Sequence, residues 1–134
     1  MHRFIIAALA LASFPALARD GGQWDNQASA VRQWFRTLMQ PDLPRVSCCG
    51  EADAYEADNF EVEGDHYVAI ITAHRAVGTI PVGTKIPVPN YKMKWDAGNP
   101  TGHGIIFIGA PTPGEDGRMR PYGQVFCYVT PGGI

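Results

Sequence analysis

The chain has 134 residues and a formal net charge of −2. This length allows one domain with a core of its own. The slightly acidic balance excludes nucleic acid and anionic lipid as principal partners, because both require a basic patch.

The first 18 residues predict a secretory signal. They begin with the basic pair His2 and Arg3, continue as an apolar run and end in small residues up to Ala18. This order is typical of a signal cleaved after Ala18, with a buried N-terminal helix as the alternative. The apolar run is shorter than the ~20 residues of a membrane span, and we expect no span elsewhere. Residues 19–134 are therefore predicted to form one exported domain, periplasmic or secreted.

Residues 25–40 predict one amphipathic helix. Four large apolar residues recur at the i, i+3, i+4 and i+7 spacing of a single helical face: Val31, Trp34, Phe35 and Leu38. Asp25 or Asn26 can cap its start and Pro41 ends it. The large aromatic residues on this face indicate packing against a sheet. After a loop, Ser47 is predicted to begin a short helical turn that runs to Asp58.

The remaining segments predict β-structure. Residues 59–72 alternate around Gly64-Asp65, the glycine-first turn that a type II′ hairpin prefers. Prolines in residues 80–88 restrict that segment to an edge strand or an extended loop. Residues 104–109 and 123–129 are the strongest strands, joined by a long Pro- and Gly-containing connection. We therefore expect an α+β domain in which one N-terminal amphipathic helix packs on a small, mostly antiparallel sheet.

The three cysteines predict one disulfide. Cys48 and Cys49 are adjacent, and neighbouring Cα atoms lie about 3.8 Å apart, below the usual range of ~4.4–6.8 Å for a disulfide. We therefore expect Cys127 to bond to Cys49, with Cys48 as the alternative partner. This bond would tether the front of the exported domain to its last strand. One sulfur would be left over, and it could be buried and inert, a metal ligand or a nucleophile.

The metal hypothesis combines the remaining thiolate with imidazoles. Cys48, His66 and His103 are the main candidate ligands, and further candidates are His74, Met39 and Met93. Thiolate, imidazole and thioether donors together favour copper or zinc. No Cys-x₂-Cys or His-x₃-His spacing is present.

The nucleophile hypothesis depends on Cys49 and His103. A cysteine at the start of a helical turn would have an activated thiol. The segment GHGIIFIG, residues 102–109, resembles the segment that carries the base in NlpC/P60 peptidases. The resemblance implies Cys49 as nucleophile and His103 as base of a cysteine hydrolase that acts on cell-wall peptides.

A second resemblance spans most of residues 19–134. The segments SCCGEADAY, IPVGTKIPVP, NPTGHGIIFI and VFCYVTPGG resemble a group of small exported bacterial proteins of unknown function. That group pairs a Ser-Cys-Cys segment near the front with a Cys-aromatic strand near the end. The resemblance supports a tether between the two ends of the domain and implies no activity.

The segment NYKMKW suggests a ligand-binding surface. Tyr91, Lys94 and Trp95 could stack on sugars or contact anionic glycans, and the alternative is an edge strand protected by lysines. Our first prediction is a non-enzymatic exported domain that binds a cell-envelope protein, a glycan or a small ligand and needs no cofactor. A periplasmic copper or zinc binder is the second prediction, and the cysteine hydrolase is the third.

Overall fold

One helix and two sheets make up the described part of the chain, residues 29–50, 52–73 and 80–133 of a computed structural model. The elements are α1 (Ser29–Thr37), β1 (Asp53–Glu56), β2 (Asn59–Glu63), β3 (His66–Ile70), β4 (Lys85–Val88), β5 (Met93–Lys94), β6 (Ile105–Ile108) and β7 (Val125–Val129). The strands form a four-stranded sheet in the order β1-β6-β7-β5 and a three-stranded sheet in the order β2-β3-β4. All neighbours are antiparallel except β5 and β7. The predicted α+β class is confirmed. The prediction of one sheet was wrong, because the strands form two sheets.

The four-stranded sheet is the middle layer and is covered on both faces. Successive side chains of a strand point to opposite faces. Ile105 and Phe107 join one apolar cluster with the helix, while Ile106 and Ile108 join a second cluster with the three-stranded sheet. All four residues of β6 are buried. This double burial explains why β6 and β7 are continuous apolar runs rather than alternating ones.

The helix packs on the middle sheet through the predicted face. Val31, Phe35 and Leu38 are buried, and the Phe35 ring meets the Phe107 ring edge to face at 5.7 Å between centroids. Trp34 packs at the margin of the same cluster. The predicted helix is confirmed over Ser29–Thr37, and its predicted start before residue 29 lies outside the described residues, as does the predicted signal. No helix in the described ranges has the length and apolar character of a membrane span.

The predicted helical turn from Ser47 to Asp58 was wrong. The Ser47 hydroxyl does accept backbone hydrogen bonds from Cys49 (3.1 Å) and Gly50 (3.3 Å), but these close only a bend. By Asp53 the chain is extended and pairs with β6. Ala54 enters the helix-side cluster and Tyr55 the opposite one. Burial on both faces therefore favours a strand here over local helix propensity.

The β2–β3 hairpin is confirmed, as is the edge position of the proline-containing segment. Gly64 has φ +61° and no described non-glycine residue has positive φ, which fits a type II′ turn at Gly64-Asp65. Among the described strands β4 pairs only with β3, so Pro87, which lacks an N–H, lies at an edge of its sheet.

A disulfide joins Cys48 to Cys127, with 5.5 Å between their Cα atoms and 79 residues of sequence separation. The predicted tether is confirmed, but its partner is the alternative, Cys48, and the expected Cys49–Cys127 bond was wrong. The Cys48 N–H donates to the Leu38 carbonyl at 2.8 Å, which fixes residue 48 between the helix end and β7. Cys49 retains its thiol and is buried.

A buried lysine fastens the loop after the helix to the segment before β5. The Lys92 Nζ donates to Gln40 Oε1 at 2.7 Å and to Asp42 Oδ1 at 2.8 Å. The Gln40 side chain in turn donates to the Ser47 carbonyl at 3.2 Å. The hydrogen bond from Lys92 holds the pKa of Asp42 below its ordinary value. This network compensates the burial of the ammonium group.

Replacing both bonded cysteines, Cys48→Ala with Cys127→Ala, is expected to lower the free energy of unfolding by about 4.5 kcal/mol, because an unfolded chain without the cross-link gains entropy. Urea unfolding measures the change, and Cys49→Ala is the matched control that keeps the bond. Alkylation of the unfolded, unreduced protein should label one cysteine. Labelling of three cysteines, or an equal loss in Cys49→Ala, would contradict the assignment.

The ion pair between Asp42 and Lys92 should make the free energy of unfolding depend on pH in the acid range. A carboxyl group whose pKa is lower in the folded than in the unfolded protein stabilises the fold. This stabilisation is complete above the pKa of the unfolded state and is lost as the pH falls through the pKa of the folded state. Asp42→Asn should therefore be less stable than wild type at pH 7, and the difference should disappear in acid. Urea unfolding at several pH values tests this, and a difference that is constant with pH would refute it.

Candidate functional site

His103 and Asp58 meet where β1 ends and β6 begins. The two strands are antiparallel neighbours, so these two ends lie side by side. The His103 Nδ1 lies 3.0 Å from Asp58 Oδ2 and 3.3 Å from Oδ1. Asp58 Oδ1 also accepts the Gly104 backbone N–H at 2.8 Å. The carboxylate is thus held by the same residue pair, 103 and 104, that carries the imidazole.

The loop before β6 fixes the backbone of His103. The Asn99 side-chain amide donates to the His103 carbonyl at 2.7 Å, and Asn99 Oδ1 accepts from the Thr101 hydroxyl at 2.6 Å. The Thr101 hydroxyl oxygen accepts the His103 N–H at 3.1 Å. Gly102 has φ +71°, a backbone conformation that side chains disfavour. These bonds position the imidazole before any ligand arrives.

Glu56 completes an acid–imidazole cluster, which we define as Glu56, Asp58 and His103. One ligand atom from each residue lies within 4.8 Å of the other two. The exposed fraction is 8% for Glu56, and for the side chains of Asp58 and His103 it is 36% and 45%. Two carboxylates and an imidazole in this position can hold a cation or exchange a proton with solvent.

Tyr128 donates a hydrogen bond to the chain segment that carries the cluster. Its hydroxyl donates to the Ala57 carbonyl at 2.9 Å. Burial, with a smaller effect of the Asp58 charge, raises the pKa of Tyr128 well above its ordinary value. The phenol therefore stays protonated at neutral pH and stabilises the chain between Glu56 and Asp58.

The structure does not bring Cys49 and His103 together. None of the hydrogen bonds of His103 in the described residues involves a cysteine, and the acid–imidazole cluster contains none. Cys127 pairs with Phe107, four residues beyond His103, which is about 13 Å of extended chain. Cys49 adjoins that disulfide and is 2% exposed. A nucleophile and its base need hydrogen-bond contact and access to substrate, so the geometry gives the hydrolase hypothesis no support.

The predicted metal ligands are dispersed. The sulfur of Cys48 is in the disulfide and cannot supply a thiolate, so this part of the prediction was wrong. His66 lies at the β2–β3 turn, where its Nδ1 is 3.4 Å from Asp65 Oδ1. His103 lies in the acid–imidazole cluster, and His74 lies outside the described residues.

Three rings form a run at the margin of the three-stranded sheet. The Phe60 and Tyr67 centroids are 5.3 Å apart, and Tyr67 meets Trp95 edge to face at 6.1 Å. Phe60 is 41% exposed, Trp95 56% and the adjacent Val62 60%. We call Phe60, Val62, Tyr67 and Trp95 the aromatic surface. Trp95 was predicted as a ligand contact, whereas Phe60 and Tyr67 were missed, although the alternation of Phe60 and Val62 with glutamates along β2 was a usable signal.

A separate cleft of about 410 Å³ contains Tyr91. Its walls include Pro87, Pro89, Arg120 and Tyr122. The predicted ligand-binding residues are thus divided, because Tyr91 lines this cleft, Trp95 belongs to the aromatic surface and Lys94 is half-buried in β5.

Comparisons of the chain with protein-family models, with curated proteins and with solved structures find no match.

Gly104→Ala should disrupt the acid–imidazole cluster. A Cβ at residue 104 would collide with the Ala57 carbonyl oxygen and lie 2.9 Å from Pro131 Cδ. We expect a loss of about 2–3 kcal/mol in the free energy of unfolding and changed NMR chemical shifts of the His103 imidazole at a fixed pH. Gly50→Ala is the control, because its Cβ would meet only the Ser47 carbonyl at 3.6 Å. Equal stability of the two variants would refute the close packing at Gly104.

Proposed function

We propose that this protein is an exported, non-catalytic domain that binds a glycan of the cell envelope through its aromatic surface. The single observation that carries the proposal is the run of rings formed by Phe60, Tyr67 and Trp95, in which Phe60 and Trp95 are exposed to solvent and Tyr67 is partly buried between them. Exposed apolar groups that are contiguous mark interaction sites on soluble domains.

The position of the rings suits ligand binding. Phe60 and Tyr67 belong to β2 and β3, whose register is fixed over five residue pairs. Tyr67 stands between the other two rings and contacts both of them. Aromatic side chains give large contact areas for a small loss of conformational entropy. A ligand would therefore meet a preformed surface.

The chemistry around the rings favours a sugar. Ring faces and edges can pack against the C–H groups of a pyranose, and polar groups nearby can bond its hydroxyls. Lys94 precedes Trp95 in the chain and is a polar neighbour of this kind. Glu61 and Glu63 alternate with Phe60 and Val62 along β2 and therefore point to the opposite face of the hairpin, where Glu61 pairs with Lys85.

The disulfide bond supports export of the protein. The Cys48–Cys127 bond lies in the core, with both residues fully buried. Structural disulfides persist in oxidising compartments. This agrees with the secretory pattern of residues 1–18 and supports the periplasm or the extracellular space as the place of action.

Trp95→Ala is expected to weaken binding of soluble peptidoglycan fragments at least tenfold, equivalent to about 1.4 kcal/mol, because an exposed ring contact is lost. Isothermal titration calorimetry measures the affinity, and circular dichroism checks the fold. Tyr91→Ala is the matched control, since Tyr91 is also a largely exposed aromatic residue (62%, against 56% for Trp95) but lines the separate cleft. Absence of binding to wild type, or an equal loss in Tyr91→Ala, would refute the proposal.

A further inference from the structure

We propose that Glu56, Asp58 and His103 bind a divalent transition metal ion, with Zn²⁺ as the ion that best fits the donors. The cluster offers two carboxylates and one imidazole within 4.8 Å. These are ordinary Zn²⁺ ligands. The set has no thiolate or thioether, so it differs from the sulfur-containing site that the sequence suggested and gives no basis for Cu(I).

The observed spacing fits coordination of one ion. Zinc–oxygen and zinc–nitrogen bonds of about 2.1 Å at a tetrahedral angle place two ligand atoms about 3.4 Å apart. The His103 Nδ1 lies 3.0 Å from one Asp58 oxygen and 3.3 Å from the other. The ion would replace the proton shared by these two groups with little movement of either side chain. The Glu56 ligand atom lies within 4.8 Å of the other two, so it would have to approach them to complete the coordination.

Asp58 and His103 are held in place by hydrogen bonds from groups outside the donor set. The Gly104 N–H engages Asp58 Oδ1 at 2.8 Å and leaves Oδ2 for the ion. Asn99 and Thr101 fix the backbone of His103. Supporting bonds of this kind orient metal ligands and raise affinity. The absence of a β-carbon at Gly104 allows the approach that brings the two chains together.

Charge and access also suit a cation. Among the described residues, Asp58 has no lysine or arginine partner, and His103 is its only ion-pair neighbour. The side chains of Asp58 and His103 are partly exposed, so an ion can enter from solvent and a water can occupy a fourth position. The cluster consists of Glu56 at the end of β1, Asp58 in the β1–β2 connection and His103 before β6, and it shares no residue with the aromatic surface, so the zinc proposal does not rest on the glycan proposal.

Calorimetric titration of the EDTA-treated full-length protein with Zn²⁺ tests the site. One ion per chain is expected, and His103→Gln should lower the affinity at least tenfold, because even the loss of a supporting bond costs about 10–100-fold. His66→Gln is the matched control, since His66 also faces an aspartate at the surface but has no place in the cluster. No zinc binding, or binding lost with His66 instead of His103, would overturn the proposal.

Two further measurements keep the test decisive if a variant folds poorly. Glu56→Gln removes the third ligand and leaves the Asp58 contacts in place, and it should also lower zinc affinity at least tenfold. Co²⁺ added to wild type should give the intense visible absorption of a tetrahedral site, and His103→Gln should lose it. An octahedral Co²⁺ spectrum in wild type, or unchanged zinc affinity in folded Glu56→Gln, would refute the three-ligand site.

Discussion

Burial of the β6–β7 pair on both faces is the constraint on which the rest of the fold depends. One face supports the helix through Phe107, and the other supports the three-stranded sheet through Ile106. The disulfide enters this arrangement from the helix side, where it links the segment after the helix to β7. The helix, the vicinal cysteines and the outer sheet are all positioned by contact with two central strands, which is why such a small domain can support two separate surface features.

The two features arise from different edges of this architecture. Pairing of β1 with β6 places the end of one strand beside the start of the other, so Asp58 and His103 meet although they are far apart in sequence. The hairpin and the segment after β4 supply the aromatic surface, where Tyr67 contacts rings on both sides. The two features share no residue, although Asp58 directly precedes β2, which carries Phe60. The cleft at Tyr91 is a third feature, lined by prolines and Arg120, and has no role in either proposal.

Much of the architecture was predictable because its signals are local. The helical face from Val31 to Leu38, the glycine-first hairpin turn and the proline-restricted edge strand all follow from spacing and backbone chemistry, and each is confirmed. The strand β1 was missed because a serine cap pointed to a helix, while the burial that favours a strand comes from partners that lie 49 to 55 residues away in the chain. The second sheet was missed because apolar runs do not reveal how many layers cover them.

By itself the sequence determined the α+β class, the helix, the hairpin and a covalent tether from Cys127 to the vicinal pair, since each depends on composition, periodicity or the limits of bond geometry. It also marked His103 and Trp95 as residues of interest. Only the tertiary structure decided that Cys48 carries the bond, that Cys49 is buried away from His103, and that Glu56 and Asp58 are the neighbours of the imidazole. The physical reason is that strand pairing brings together side chains from distant positions, and no local pattern records which strand ends will be adjacent.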